Sequence, residues 1–129
     1  METITIVGGI EVPVSEFVYP YSSQRSYSSS DFDAWFAGSS SQEMYYNSQI
    51  FINEIFVRYG YSFADAKKSP GQAIYAKYKD KDWYQRAIAS SPSQSQDTLL
   101  FNGIMNSTEY DNIMKVNSWQ EAHGCTTGY

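Results

Sequence analysis

The fold of this chain is decided by the stretch Asn53-Glu54-Ile55-Phe56-Val57-Arg58-Tyr59-Gly60-Tyr61-Ser62-Phe63. Glycine carries no Cβ penalty in the left-handed conformation, so Gly60 is the natural residue just past the end of a helix. Tyr61 then follows, at the position from which its ring can close on Phe56 in a Schellman motif. Arg58 lies in the last turn, where a cation complements the helix dipole. The stretch therefore predicts a helix that stops immediately before Gly60.

Together with the residues that precede it, this stretch predicts that the helix is long and central. Ser40 and Glu43 make a capping box, and no Gly or Pro interrupts the residues that follow. At about 100° per residue, apolar side chains occupy two nearly opposite faces. One face contains Met44, Phe51, Ile52, Ile55, Phe56 and Tyr59, and the other contains Tyr46, Ile50, Asn53 and Val57. Because a helix that is apolar on two sides is usually buried between layers, we predict that residues 40–59 form the centre of the domain.

The first residues predict a β-hairpin. Both arms, residues 3–7 and 10–14, are rich in β-branched residues, and Gly8-Gly9 can supply the positive φ of a two-residue loop. Pro13 lacks an N–H and should lie at an edge or face solvent. Since an isolated hairpin is marginal in water, this one must pack on the helical body, on another copy of the chain, or on a neighbouring domain.

Shorter helices are predicted around the central one, with starts at Ser28, Ser69 and Asn106. Residues 79–82 predict a solvated turn that precedes Trp83-Tyr84, and residues 90–97 a flexible loop. The resulting fold class is α+β, mostly α. We predict three parts: a hairpin extension (1–16), a helical domain (17–118) and a loose tail (119–129).

The composition excludes several classes of function. The 129 residues, 42% hydrophobic and 17% aromatic, suit one globular domain with a real core. Nine basic against fourteen acidic residues give a net charge of −5, without the clustered cations that a nucleic-acid or anionic-membrane surface needs. No apolar run approaches the ~20 residues that span a bilayer. The N-terminus lacks the basic start and long apolar segment of a signal peptide.

Residues for metal or covalent chemistry are scarce. His123 and Cys125 are too few for a structural zinc site, and a Cys nucleophile would need a base held in place by the fold, which a loose tail cannot supply. The acidic spacings at 31–33 and 80–82 lack the glycine and further ligands of a calcium loop. No phosphate-binding loop, hydrolase elbow or catalytic carboxylate pair is recognisable. The sequence therefore predicts no catalytic residue, no metal and no cofactor.

Several tracts resemble the YARHG domain of bacteria. Residues 53–60 are similar to the family's N-E-I-Y-A-R-H-G, and Tyr19-Pro20 with residues 23–27 resembles its opening segment. The remaining matches follow in the same order: Phe63, the pair Trp83-Tyr84, and the closing segment 105–113. Together they cover residues 19 to about 118.

The resemblance implies a bacterial domain, extracellular or facing the cell envelope, often part of a larger exported protein, with no assigned reaction. Two departures from the family matter. Its histidine is Tyr59 here, so no chemistry can be assigned to that side chain. The N-terminal hairpin lies outside the region of resemblance.

The signature supplies three candidate binding residues, Asn53, Glu54 and Arg58. They could grip a ligand, since Arg offers a fork for carboxylates. Alternatively, Glu54 and Arg58 form an i, i+4 pair of about 0.2–0.5 kcal/mol, and Asn53 links a loop backbone to the helix, since a buried amide must find partners. We favour this structural interpretation, because helix termination already explains the spacing of the tract.

Aromatic residues supply three more candidates, Trp83, Tyr84 and Tyr61. With Tyr19 and Tyr21 they could form a platform for glycans or peptides. They could equally be core residues, because Trp and Tyr bury large areas while keeping a polar tip. We favour the core interpretation.

Three functions are compatible with these patterns. The first is a non-catalytic binding module for a wall component, glycan or protein. The second is a self-assembling surface or filament subunit, a homo-oligomer formed by strand addition through residues 3–14. The third is an enzyme with Glu54 as acid/base and Arg58 as anion clamp, which requires a concave pocket around Glu54. We expect the first.

Overall fold

The computed structural model describes residues 1–91 and 95–125. Within these ranges, two strands and six helices follow in chain order. The strands are β1 (Thr3–Ile6) and β2 (Ile10–Pro13), with 3-10 turns at Val7–Gly9 and Val14–Glu16. The helices are α1 (Ser29–Phe36), α2 (Ser41–Arg58), α3 (Ser69–Tyr78), α4 (Asp82–Ser90), α5 (Gln96–Phe101) and α6 (Ser107–Ala122). The predicted α+β, mostly α, fold is confirmed.

Helix α2 is the central helix, as predicted. From Ser48 to Arg58 all its residues except Ile50 are buried, and α1, α3, α4 and α6 pack around it. Ser40 is the N-cap, with its hydroxyl accepting from the Glu43 N–H at 3.1 Å. The predicted capping box is only half formed, because the Glu43 carboxylate accepts from the Ser39 backbone N–H and hydroxyl instead. The backbone N–H groups of Ser39 and Ser40 both lie at the helix start, and the Glu43 carboxylate accepts from the outer one, that of Ser39.

The end of α2 follows the sequence closely. Gly60 has φ +75°, and its N–H donates to the Val57 carbonyl at 3.0 Å. The Tyr61 N–H donates to the Phe56 carbonyl at 3.2 Å, and the two rings lie 6.0 Å apart. These are the two hydrogen bonds and the apolar contact of a Schellman motif. The predicted termination is confirmed.

The hairpin packs on the helical body of its own chain. Ile6 pairs with Ile10, so the connection is the three-residue turn Val7–Gly9. The predicted two-residue loop was wrong, because Val7 enters the 3-10 turn instead of extending the strand. The apolar face of the hairpin is buried in a common core that it shares with the helices. The turn Val7–Gly9 and β2 both contact α4. The buried side chains are Ile4, Ile6, Ile10 and Val12. The hairpin extension, residues 1–16, therefore contributes these four side chains to the core of the domain.

Two helices, α4 and α5, were not indicated by the sequence. Trp83 and Tyr84 lie in the first turn of α4, where a turn followed by the pair was predicted. Helix α5 begins inside the predicted flexible loop 90–97, with Ser95 accepting from the Thr98 N–H at 3.1 Å. Positions 92–94 of that loop lie outside the described residues. The start of α3 also differs by one residue, since Lys68 and not Ser69 is the N-cap.

Helix α6 begins as predicted and ends later. Asn106 and Glu109 form the capping box in both directions. The helix continues to Ala122, and Trp119 and Gln120 are buried, so the predicted tail boundary at residue 119 falls inside a packed helix. The end of the predicted tail, 126–129, lies outside the described residues. None of the helices described over 1–91 and 95–125 has the length and apolar character needed to cross a membrane.

Candidate functional site

The polar signature residues of α2 lie against one irregular segment, residues 17–27, which connects the hairpin to α1. This segment has little regular structure of its own, so its backbone groups need partners from elsewhere. Side chains from two helices, α2 and α6, supply many of them.

Glu54 supplies the acceptors. Its carboxylate is fully buried and accepts from the backbone N–H groups of Val18 and Tyr19 at 2.8 and 2.9 Å. The Tyr78 hydroxyl donates to it at 2.9 Å, and the Lys77 ammonium lies 3.9 Å away. A buried carboxylate is tolerated when hydrogen-bonded in this way. The side chain is therefore engaged within the protein.

Arg58 supplies the donors. Its guanidinium, 3% exposed, donates to the Tyr19 carbonyl at 2.9 Å and to the hydroxyls of Ser22 and Ser23 at 2.7–2.9 Å. It also lies 5.0 Å from the centre of the Phe17 ring. Burial lowers the pKa of Arg58, and the nearby Glu54 and Glu109 carboxylates oppose that shift. Arg58 therefore fixes the 17–27 segment.

The predicted ion pair between Glu54 and Arg58 was wrong. It is absent from the ion pairs of the described residues, in which Glu54 is paired with Lys77. The physical reason is that both side chains reach the 17–27 backbone, where each finds several hydrogen bonds. An exposed i, i+4 pair would contribute only about 0.2–0.5 kcal/mol, less than these bonds.

Helix α6 holds the same segment from its other side. The Asn112 amide accepts from the Tyr27 N–H at 3.1 Å and donates to the carbonyls of Ser22 and Arg25 at 2.9 and 2.8 Å. Glu109 accepts from the hydroxyls of Ser23 and Tyr59. Sequence patterns singled out Glu109 only as the capping partner of Asn106, and Asn112 only by its place in the YARHG-like closing segment. Their i, i+3 spacing on a capped helix was the available signal.

The link to a loop backbone that was predicted for Asn53 is made by Asn112, and among the described residues Asn53 has no such hydrogen bond. Its side-chain oxygen accepts from Gln49 Nε2 at 3.1 Å, along the same face of α2. Asn53 also lines a cavity, together with Tyr61. Of the three polar signature residues, only Asn53 lines this cavity.

Trp83 and Tyr84 do not form the aromatic platform that was the alternative interpretation of the sequence. Tyr84 is fully buried, and its hydroxyl accepts from the Phe63 N–H at 3.1 Å and donates to the Tyr61 carbonyl at 2.8 Å. Burial raises its pKa to about 12. Trp83 is half-buried, donating from its indole to Glu16 at 3.1 Å and packing edge-on to Phe17. Both residues act in the core, as the favoured interpretation predicted.

The cavity has a volume of about 580 Å³ and lies between α2 and α6, with residues 61–71 forming one wall. We call it the α2–α6 cavity. This volume lies within the range of ~300–1,000 Å³ typical of small-molecule sites. It is lined by Tyr45, Gln49, Asn53, Tyr61, Phe63, Asp65, Ala66, Lys67, Lys68, Pro70, Gly71, Gln96, Asn117 and Glu121. Glu54, Arg58, Trp83 and Tyr84 do not line it.

A smaller cavity of about 360 Å³ lies between α1 and α6, and His123 is one of the residues that line it. The His123 ring stacks on Trp119 at 4.0 Å, and its Nε2 lies 3.6 Å from Asp33. Among residues 1–91 and 95–125 no group of three or more His, Cys, Asp or Glu side chains could hold a metal ion. His123 is thus accounted for by local packing.

Comparisons of the chain with known protein families, with curated proteins and with solved structures find no match. The resemblance to the YARHG domain stays a prediction from the quoted residues.

Proposed function

We propose that this protein is a non-catalytic binding module of the bacterial cell envelope or extracellular surface, related to YARHG domains. Its binding site is the α2–α6 cavity, which accepts part of a wall component, a glycan or a protein partner. The observation that carries the proposal is the separation of the signature residues. Glu54 and Arg58 are engaged in internal hydrogen bonds, whereas Asn53 and Tyr61 border a cavity of about 580 Å³.

The location of the charged residues favours binding over catalysis. An acid/base carboxylate has to reach a substrate in a concave site. Glu54 is fully buried and lies outside both cavities described, and its oxygens already accept from Val18, Tyr19 and Tyr78. The carboxylates that do line the α2–α6 cavity, Asp65 and Glu121, are exposed to solvent.

The hairpin offers less support for self-assembly. That hypothesis drew on the need of an isolated hairpin for a packing surface. The apolar side chains of β1 and β2 already have one in their own chain, in the common core and against α4. On the outer face, Thr3 and Thr5 donate to Glu11, so these polar groups are also paired.

The proposal is tested by binding of the intact protein to a glycan array, to purified bacterial wall fragments and to isolated envelope proteins. Removal of a cavity-wall ring, Tyr45→Ala, should weaken binding, while Tyr46→Ala, the neighbouring exposed tyrosine outside the cavity, should not. Circular dichroism confirms that both variants are folded. Folded protein that binds none of the three preparations overturns the proposal.

A further inference from the structure

We infer that the α2–α6 cavity binds an uncharged saccharide. This inference rests on the proposed function and adds the chemical class of the ligand. Three features of the cavity point to it: carboxamide side chains in its wall, half-exposed tyrosine rings, and charged groups at its rim that balance one another.

Carboxamides are contributed by facing helices. Gln49 and Asn53 lie one turn apart on α2, joined by a hydrogen bond of 3.1 Å, and Asn117 faces the same cavity from α6. An amide group both donates and accepts, as a sugar hydroxyl does. The Gln49 amide already donates to Asn53 and accepts from Gln120 Nε2 at 3.2 Å, so it orients Asn53. The neutral amides of Asn53 and Asn117 then suit sugar hydroxyls without selecting a charged ligand.

Asn117 contributes an acceptor that lacks a partner. Its Oδ1 atom is buried and has no hydrogen-bond partner among the described residues. Leaving a buried carbonyl unpaired is unfavourable, so a ligand that brings a donor restores the missing bond. The side chain as a whole is only half-buried and lines the cavity. Rotation about its terminal bond would present the oxygen to a ligand O–H or N–H.

Tyrosine rings supply a surface for the apolar face of a sugar ring. Tyr45 and Tyr61 are half-exposed in the cavity wall, and Phe63 is buried next to Tyr61 with ring centres 4.8 Å apart. The face of an aromatic ring is electronegative and attracts weakly positive C–H groups. A pyranose presents such C–H groups on its faces and hydroxyls around its edge, which matches rings beside amides.

Charge argues against an ionic ligand. The lining contains two cations, Lys67 and Lys68, and two anions, Asp65 and Glu121, and all four are exposed. Their charges sum to zero. An anion would be repelled by Asp65 and Glu121 as much as it is attracted by the lysines. Exposed charges are also screened by salt, so they contribute little to selecting a charged ligand.

The inference is tested by NMR titration of the intact protein with four probes: maltotriose, tri-N-acetylchitotriose, an oligogalacturonate and trialanine. The expected result is saturable shift changes at cavity residues with one or both neutral saccharides, and none with the acidic saccharide or the peptide.

Matched variants localise the binding. Tyr45→Ala and Asn117→Ala should each raise the Kd for the bound saccharide at least tenfold. Tyr46→Ala and Gln42→Ala, which lie on α2 outside the cavity, should change this Kd less than twofold. The pairs control for the loss of a tyrosine and of an amide.

The possible outcomes distinguish failure of the saccharide inference from failure of the proposed function. Binding of the oligogalacturonate or the peptide in the cavity, or saccharide binding that Tyr45→Ala and Asn117→Ala leave unchanged, overturns the saccharide assignment while leaving a binding module. An absence of saccharide binding, combined with retention on wall fragments or envelope proteins that Tyr45→Ala abolishes, likewise overturns the saccharide assignment and leaves a binding module. Failure of every probe and preparation overturns both.

Discussion

Glu54 and Arg58, one turn apart on α2, hold the two backbone groups of a single residue. The Glu54 carboxylate accepts from the Tyr19 N–H at 2.9 Å, and Arg58 Nη2 donates to the Tyr19 carbonyl at 2.9 Å. Each buried charge is thereby stabilised by neutral polar groups of the 17–27 segment. Loss of either side chain would leave buried partners unsatisfied, which makes this relationship testable.

Replacing Glu54 with Gln should lower the free energy of unfolding by about 3 kcal/mol. A carboxamide offers a single acceptor oxygen, whereas the Val18 N–H, the Tyr19 N–H and the Tyr78 hydroxyl all donate to this site. Urea denaturation measures the change. Asp111→Asn, the same substitution at an exposed position of α6, should change stability by less than about 0.5 kcal/mol. Equal effects at the two positions would contradict the assigned role.

Arg58→Lys keeps the charge and removes the fork. We expect a loss of about 2 kcal/mol, because one ammonium cannot reproduce the bonds to the Tyr19 carbonyl and to the Ser22 and Ser23 hydroxyls. Hydrogen exchange should accelerate in the 17–27 segment more than in α3. The control, Arg86→Lys, is exposed on α4 and should leave both measurements unchanged. Unchanged exchange in Arg58→Lys would show that the segment is held by other contacts.

Gly60→Ala separates backbone strain from steric contact. Gly60 and Gly103 have similar φ values, +75° and +72°, but a Cβ at Gly60 would lie 2.3 Å from the Ala87 carbonyl oxygen. No described atom lies within 4 Å of a Cβ at Gly103. Gly103→Ala should therefore destabilise by only about 1–2 kcal/mol, the strain alone. Gly60→Ala should cost roughly 2 kcal/mol more, since overpacking typically costs ~1–3 kcal/mol. Thermal denaturation of both variants measures the difference.

Alkaline pH should destabilise the protein through its buried tyrosines. Burial raises the pKa of Tyr84 from 10.0 to about 12, and burial with the Glu54 charge raises that of Tyr19 to about 12. With folded values above unfolded ones, the stabilising contribution is complete below pH 10 and is lost as pH rises from about 10 through 12. Unfolding curves at successive pH values should show this decline.

The Tyr84→Phe variant checks the source of that decline. It loses the hydroxyl that pairs with Phe63 and Tyr61, so it should be less stable than the wild type at neutral pH by about 1–2 kcal/mol. Its stability should then fall less steeply above pH 10. Tyr46→Phe, at an exposed position, serves as the control. An unaltered slope in Tyr84→Phe would exclude this tyrosine as a cause.

Substitutions in the hairpin should destabilise the helices too. Val12 is fully buried in the common core, so Val12→Ala should reduce stability by about 2 kcal/mol, whereas Val18→Ala, 54% exposed, should have little effect. Tryptophan fluorescence reports on the helical body, since Trp35, Trp83 and Trp119 all lie in helices. A hairpin that unfolds separately would leave this fluorescence transition unchanged.

Local features could be predicted well because they depend on residues close in sequence. The Schellman end at Gly60 involves Phe56 to Tyr61, and the capping box of α6 involves Asn106 and Glu109. Each is set by backbone conformations and hydrogen bonds within one or two turns. Helix α5 was not predicted, because a short helix in a Ser/Gln-rich region has weak local signals and gains its stability from packing.

The candidate site was predicted only in part. Asn53 and Tyr61 border the α2–α6 cavity, while Glu54, Arg58, Trp83 and Tyr84 serve the interior. The cavity also needs Asn117 from α6, more than sixty residues along the chain from Asn53. No sequence pattern links such distant positions.

The sequence by itself determined the central helix, its two ends and the apolar faces that bury it, because these follow from local conformation and periodicity. Only the tertiary structure decided which groups the buried polar side chains contact. Glu54 meets Val18 and Tyr19 across 36 and 35 residues, and Asn112 meets Tyr27 across 85. Buried charges and amides take whichever partners the packed chain brings near. Which backbone comes near is a property of the whole fold.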